Sequence, residues 1–177
     1  MKTFAIVVVL ALASTPALAD HIGIYDDTLG GPCFGPPPPT GPFTMYILHE
    51  QSAGSLGGRW NVANNSNILV LGSQCAGGLS IPIIPLEGLV ASYGGCTASP
   101  ITACQVMFLS FGAPFEGCNH LVVTPYLGDS QVQVLDCANQ SQNASAGYFS
   151  FNINGFCDTC VLATEATTWG SVKALYR

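Results

Sequence analysis

The histidines are the first side chains to consider for acid–base or metal chemistry, and the chain has three, His21, His49 and His120. An imidazole acts as a general base beside a nucleophile or as a ligand for copper or zinc. None of the three lies in a recognisable nucleophile motif, and the Gly-x-Ser-x-Gly sequence of many hydrolases is absent. Asp26 and Asp27 are adjacent at a predicted strand end, where successive side chains point apart. The residues therefore favour a protein that is not an enzyme, with an extracellular hydrolase as an alternative.

A copper-dependent oxidative enzyme is a further alternative. Copper monooxygenases that act on polysaccharides are disulfide-bonded β-sandwiches that bind copper through an N-terminal histidine and a second histidine. Asp20 precedes His21 here, so such a site needs cleavage after an aspartate, which signal peptidase disfavours. The acidic segment that begins at Asp26 matches no EF-hand loop. We expect no metal and no cofactor.

Cysteines are the second reactive group, and eight of them follow the first 20 residues. An even number in an exported chain predicts four disulfide bonds, because that compartment is oxidising. The CxxC at 157–160 is interpreted as structural, because a redox pair needs a thiolate at a helix N-terminus. Spacing favours three pairs, although sequence alone does not choose among the 105 pairings. The favoured pairs are Cys96 with Cys104, Cys118 with Cys137, and Cys33 with Cys75. The two remaining cysteines are those of the CxxC, Cys157 and Cys160.

The N-terminus has the three parts of a bacterial export signal. Lys2 supplies the positive charge, residues 4–13 form an apolar run, and Ala17-Leu18-Ala19 places small residues at the cleavage site. The run is too short to span a hydrocarbon core of ~30 Å, and no later segment is apolar for long enough. We therefore expect a signal peptide over 1–19, cleavage after Ala19, no membrane insertion, and a periplasmic, cell-surface or extracellular protein.

Composition narrows the class of protein further. The 177 residues suit one domain, only 8% are charged, and the formal net charge is −6. A nucleic-acid partner is excluded because phosphate binding needs a basic face. The chain contains 20 glycines and 12 prolines, a content typical of a turn-rich β protein.

The body of the chain predicts short strands separated by Gly, Pro or Asn. Gln131–Leu135 alternates strictly, which places Val132 and Val134 inward and the glutamines outward. Residues 27–41 are predicted as a loop and residues 54–58 as a turn. The predicted fold is all-β over 20–162, an antiparallel β-sandwich of Ig-like or jelly-roll-like type. The other predicted strands are 22–26, 43–49, 59–63, 68–71, 79–84, 89–93, 104–111, 120–125 and 149–153.

Only the C-terminal tail, residues 163–177, has a helical pattern. Thr167 or Thr168 caps the predicted short helix, and Lys173 and Arg177 suit its C-terminal end. The apolar stripe of this helix consists of Trp169, Val172 and Tyr176. Such a short helix is marginal alone, so the stripe is expected to dock, either on its own sandwich or on a partner.

Aromatic side chains offer a possible sugar platform, because tyrosines and tryptophans on one face contact the apolar faces of sugar rings. Most aromatics at strand positions instead pack in a core. The candidate ligand contacts are Trp60, Tyr93, Tyr126 and Tyr148.

Both ends of the chain carry a resemblance. Ile22-Gly23-Ile24-Tyr25-Asp26, directly after the signal, and the closing segment from Thr167 to Arg177 (TTWGSVKALYR) resemble a group of short secreted bacterial β-sandwich proteins. The resemblance implies a small exported β-sandwich and transfers no catalytic residue.

Together these observations predict a secreted, non-enzymatic structural or binding protein of the cell surface or extracellular space. A carbohydrate-binding module is the alternative. The expected partners are a glycan, a cell-surface component or further copies of the chain, because low charge and apolar surface favour association.

Overall fold

The computed structural model describes residues 20–50, 52–64, 67–77, 88–112, 115, 117–118 and 120–151. The predicted signal peptide, the strand at 79–84, the CxxC pair Cys157 and Cys160, and the tail helix with its stripe lie outside the described residues. The described part is all-β: it contains eleven strands and no helix. No helix long and apolar enough to cross a membrane is found there.

The strands agree with most of the predicted ones to within a few residues. In chain order they are β1 (His21–Tyr25), β2 (Phe34–Gly35), β3 (Gly41–Glu50), β4 (Ser55–Asn64), β5 (Ile68–Cys75), β6 (Leu89–Thr97), β7 (Ile101–Ser110), β8 (Leu121–Thr124), β9 (Val132–Asp136), β10 (Ser141–Ala146) and β11 (Tyr148–Phe151).

All eleven strands belong to one mixed sheet. Its order is β2-β11-β8-β4-β9-β10-β1-β3-β7-β5, and β6 pairs with β4. The prediction of a purely antiparallel arrangement is wrong at two places, because β1 runs parallel to β10 and β2 runs parallel to β11. In both pairs the two strands are far apart in sequence, and other strands of the same sheet lie between them along the chain.

The core forms where the apolar faces of distant strands meet. Trp60 on β4, Phe108 on β7 and Phe149 on β11 are all fully buried. The rings of Phe43 and Phe151, from β3 and β11, contact each other edge to face at a centroid distance of 5.6 Å. The predicted alternation of β9 is confirmed, since Val132 and Val134 are each 2% exposed.

Three backbone segments differ from the sequence prediction. The residues predicted as a turn at 54–58 begin β4 at Ser55, and Phe34–Gly35 within the predicted loop forms β2. Strand β10 was not predicted, because its sequence SQNASA has no apolar face. It is held by pairing with β9 and β1 on its two sides, so its neighbours, rather than its own side chains, determine its conformation.

Two disulfide bonds link neighbouring parts of the sheet. Cys75 and Cys104 are facing residues of β5 and β7, with their Cα atoms 3.9 Å apart. Cys96 on β6 bonds Cys137, which follows β9, across a Cα separation of 5.2 Å. Cys33 and Cys118 each also take part in a disulfide bond. Such bonds indicate an oxidising compartment.

The three pairings favoured by spacing are wrong for a topological reason. A turn at Ser99-Pro100 joins β6 to β7. However, β6 pairs with β4 whereas β7 lies between β3 and β5, so Cys96 and Cys104 diverge. Similarly, Cys137 bonds Cys96 rather than Cys118, and Cys75 bonds Cys104 rather than Cys33. Sequence distance does not report these neighbours, because the turn carries the chain between separate parts of the sheet.

Candidate functional site

The three histidines are all buried inside the sheet. His21, His49 and His120 are 2%, 0% and 1% exposed. Strands β1 and β3 pair His21 with Glu50 and Ile22 with His49, which sends the two imidazoles to opposite faces. The ring of His120 lies among aromatic side chains, and its Nδ1 accepts the backbone N–H of Phe151 at 2.9 Å.

Hydrogen bonds hold the two imidazoles of β1 and β3. Nδ1 of His21 lies 2.8 Å from the hydroxyl oxygen of Ser145. His49 contacts the Tyr93 hydroxyl through Nδ1 at 3.2 Å and an Asp20 carboxylate oxygen through Nε2 at 3.3 Å. These contacts tie the start of β1 to β3, β6 and β10, which is a structural role.

Burial controls the charge of the His21 and His49 imidazoles. It lowers the pKa of His21 and of His49, although nearby Glu50 and Asp20 respectively oppose the effect. Burial also raises the pKa of the Tyr25 and Tyr93 hydroxyls, and in Tyr25 a 2.6 Å hydrogen bond to Glu50 adds to the effect. Both imidazoles are therefore neutral at pH 7. Within the described ranges, no three His, Cys, Asp or Glu side chains are grouped so as to hold a metal ion.

Acidification is expected to destabilise the protein through these two histidines. Each has a folded-state pKa below its ordinary value of 6.5, so the unfolded chain binds more protons. Stability is fully present above about pH 6.5 and falls below it, with a slope of at most about 1.4 kcal/mol per pH unit for each histidine. Denaturant unfolding measured from pH 8 to pH 5 tests this, with His49→Gln as the comparison. A stability that rises on acidification, or an unchanged slope in the variant, would contradict the role of His49.

A surface groove lies on the outer face of β6, β4 and β9, at the start of β10. Its volume is about 400 Å³, within the range of about 300–1,000 Å³ typical of small-molecule sites. We call it the β4 groove. Its lining residues are Leu56, Gly57, Gly58, Arg59, Val90, Ala91, Ser92, Gln133, Val134, Leu135 and Ser141.

Strand register explains the shape of the β4 groove. Gly57 on the central strand is paired with Ser92 on one side and Leu135 on the other. The central position has no side chain, so the walls stand higher than the floor. A Cβ at Gly57 would collide with the backbone carbonyl of Ala91, so the close approach of β4 and β6 requires glycine there.

An ion pair forms the charged end of the groove. The Arg59 guanidinium donates from Nη2 to one carboxylate oxygen of Asp129 at 2.9 Å, and its Nε lies 2.8 Å from the other oxygen in an ion pair. Its central carbon lies 5.7 Å from the centre of the Tyr126 ring, a cation–π distance. The carboxylate balances the only charge among the lining residues and holds the arginine in one orientation.

Amide and hydroxyl groups lie on the β9 and β10 side of the groove, where Gln133 is the register partner of Arg59. The Gln133 side-chain N–H donates to the Asn143 amide oxygen at 2.7 Å, and the Ser141 hydroxyl donates to the Gln133 amide oxygen. The Gln133 amide is therefore held between two polar neighbours on β10. Its outward orientation was predicted from the alternation of β9. The groove itself was not predicted, because it depends on which strands flank β4.

The four candidate aromatics do not share a platform. Trp60 is 0% exposed, so its assignment as a ligand contact is wrong: its strand directs it inward, opposite to Arg59. Tyr93 packs against the core and contacts His49. Tyr126 lies beside Arg59, near the groove. Tyr148 is half-buried on β11, opposite Val122.

A second surface, on β5 and β7, is apolar and uncharged. Leu69, Leu71 and Met107 are 47%, 44% and 48% exposed, and Phe111, just after β7, is 60% exposed. Neither strand contains a charged residue. Self-association, which is expected from the low charge of the chain without reference to any particular surface, stays a prediction.

Comparison of the chain with protein-family models, curated proteins and solved structures finds no match.

Proposed function

We propose that this chain is an exported, non-enzymatic binding protein of the cell surface or extracellular space, and that it binds its partner in the β4 groove. The observation that carries the proposal is the lining of that groove. It combines apolar, amide and hydroxyl side chains with a single charged group, Arg59, which Asp129 neutralises. Such a lining provides recognition without an acid, base or nucleophile activated for catalysis.

The scaffold supports the exported location. The disulfide between Cys96 and Cys137 joins the strands on either side of β4, and bonds of this kind persist in oxidising compartments. The proposal includes cleavage after Ala19, a two-layer β-sandwich over 20–162 and membership in the group of secreted bacterial proteins that both chain ends resemble. The contact between Phe43 and Phe151 supports the two-layer arrangement, because it joins strands that are far apart in the sheet order.

The burial of the histidines opposes the two enzymatic alternatives. His21 and His49 are enclosed and contact Ser145, Tyr93 and Asp20. A copper-binding or hydrolytic histidine must instead reach a substrate that approaches from solvent. The non-enzymatic interpretation remains the proposal that this geometry favours.

Intact-mass analysis of the exported protein tests the location and the redox state. We expect a chain that starts at Asp20 and takes up no alkylating reagent until it is reduced. A chain starting at His21, or free thiols at Cys157 and Cys160, would redirect the assignment to copper or redox chemistry.

Retention on washed envelopes of the producing cells tests binding. We expect the oxidised full chain to be retained, and retention to fall when the groove is blocked by Ser92→Trp. The matched control is Thr102→Trp, at an exposed position on β7 outside the groove. Equal retention of the two variants, or no retention of the unmodified chain, would overturn the assignment of the groove.

A further inference from the structure

We propose that the ligand of the β4 groove is an uncharged carbohydrate chain, an inference that rests on the proposed binding function and names its ligand class. A carbohydrate presents hydroxyl groups at its edges and C–H groups on its ring faces. The groove offers matching partners for both at short range.

The polar side chains on the β9 and β10 side of the groove are ordered before a ligand binds. Gln133 is fixed between Asn143 and Ser141, so its amide need not be ordered when a ligand binds. A side-chain NH₂ group carries two hydrogens, which leaves the second Gln133 N–H to donate to a ligand. The Ser141 oxygen can accept. A donor on Gln133 beside an acceptor on Ser141 suits a ligand whose hydroxyl groups each donate and accept.

The apolar lining residues, which come from β4, β6 and β9, and the charge balance both restrict the class of ligand. Leu56, Val90 and Leu135 supply hydrocarbon surface along the groove, which suits the C–H face of a sugar ring. The charge of Arg59 is already paired with Asp129, and the chain has a net charge of −6. An anionic polymer therefore finds no unpaired cation in the lining, which favours an uncharged ligand.

An extended peptide is the competing occupant, and the topology opposes it. A peptide strand binds a sheet through the free backbone groups of an edge. Strand β4 is already paired with β6 and β9, and β9 is paired with β4 and β10. The floor of the groove is thus the face of β4, an interior strand whose backbone N–H and C=O groups are already paired.

Sedimentation with insoluble polysaccharides tests the ligand class. The oxidised full chain is mixed with cellulose, with an insoluble β-1,3-glucan, with chitin and, as the charged comparison, with calcium alginate. We expect binding to at least one uncharged polymer, little dependence on salt, and a roughly tenfold loss of affinity in Gln133→Ala, as for removal of one or two hydrogen bonds. Gln105→Ala is the matched control, an exposed glutamine on β7 outside the groove; it should bind like the unmodified chain.

The outcomes separate the ligand class from the proposed function. Binding to alginate alone, or equal effects of Gln133→Ala and Gln105→Ala, would overturn the proposal that the groove binds an uncharged carbohydrate. Loss of envelope retention in Gln133→Ala without binding to any of the polymers would overturn the ligand class but leave the groove as a binding site. Absence of both envelope retention and polymer binding would overturn the two proposals together. Unfolding free energies measured for both variants confirm that each is folded.

Discussion

Replacing Trp60 with alanine is expected to lower the free energy of unfolding by about 3–5 kcal/mol, the range for removing a large aromatic side chain from a core. Trp60 is 0% exposed and belongs to the cluster that joins β4 to both halves of the sheet. The substitution leaves a cavity that rigid strands on several sides do not close. Denaturant unfolding at pH 8 measures the effect. Trp60→Phe should lose much less stability than Trp60→Ala, because the phenyl ring fills most of the cavity.

Tyr126 provides the contrasting variant. It is half-buried beside Arg59, so Tyr126→Ala should cost about 1 kcal/mol or less through loss of the cation–π contact. A Trp60→Ala protein that is as stable as Tyr126→Ala would contradict the assignment of Trp60 to the core. It would restore the possibility of a ligand contact at that residue.

Removing the bond between Cys96 and Cys137 is expected to destabilise the protein by about 4 kcal/mol. The two residues are separated by 41 positions, and a loop of that length gains about this much unfolded-state entropy when the cross-link is lost. The bond packs closely on Gly54, where a Cβ would be 2.8 Å from the Cys137 sulfur and 2.9 Å from the Cys96 sulfur. The bond therefore closes over the chain just before β4.

The double variant Cys96→Ala/Cys137→Ala is compared with Cys75→Ala/Cys104→Ala in denaturant unfolding. We expect both to lose stability. Only the first should also weaken binding in the β4 groove, because its bond joins the strands that form the two walls. A loss below about 1 kcal/mol for the first variant would show that pairing with β4 alone holds β6 and β9 in place.

The strands that could be predicted are those in which the pattern of apolar and polar residues identifies the buried face. β9 is the clearest example, since Val132 and Val134 alternate with polar residues and are buried as expected. β10 has no such pattern and follows its neighbours instead. Ser55 and the glycines after it resemble a turn, yet they form the first half of β4, where glycine permits close approach of β6.

The candidate site residues show the same difference between local properties, which the sequence indicates, and contacts between distant strands, which it does not. The sequence indicated that Gln133 points outward and that no histidine lies in a nucleophile motif, because these are local properties. It did not indicate that Trp60 points inward, because a short strand with mixed residues can present either face. The partners of Gln133 and Arg59, namely Asn143, Ser141 and Asp129, come from other parts of the chain.

Composition and local pattern determined that this is an all-β protein with disulfide bonds, since strand alternation and cysteine content are properties of residues and their nearest neighbours. Tertiary structure alone decided the mixed order of the sheet, the partners of Cys75 and Cys96, and the position of the β4 groove. The physical reason is that hydrogen bonding between strands is satisfied equally well by many pairings. The choice among them depends on how distant apolar faces pack together, which no short segment of sequence contains.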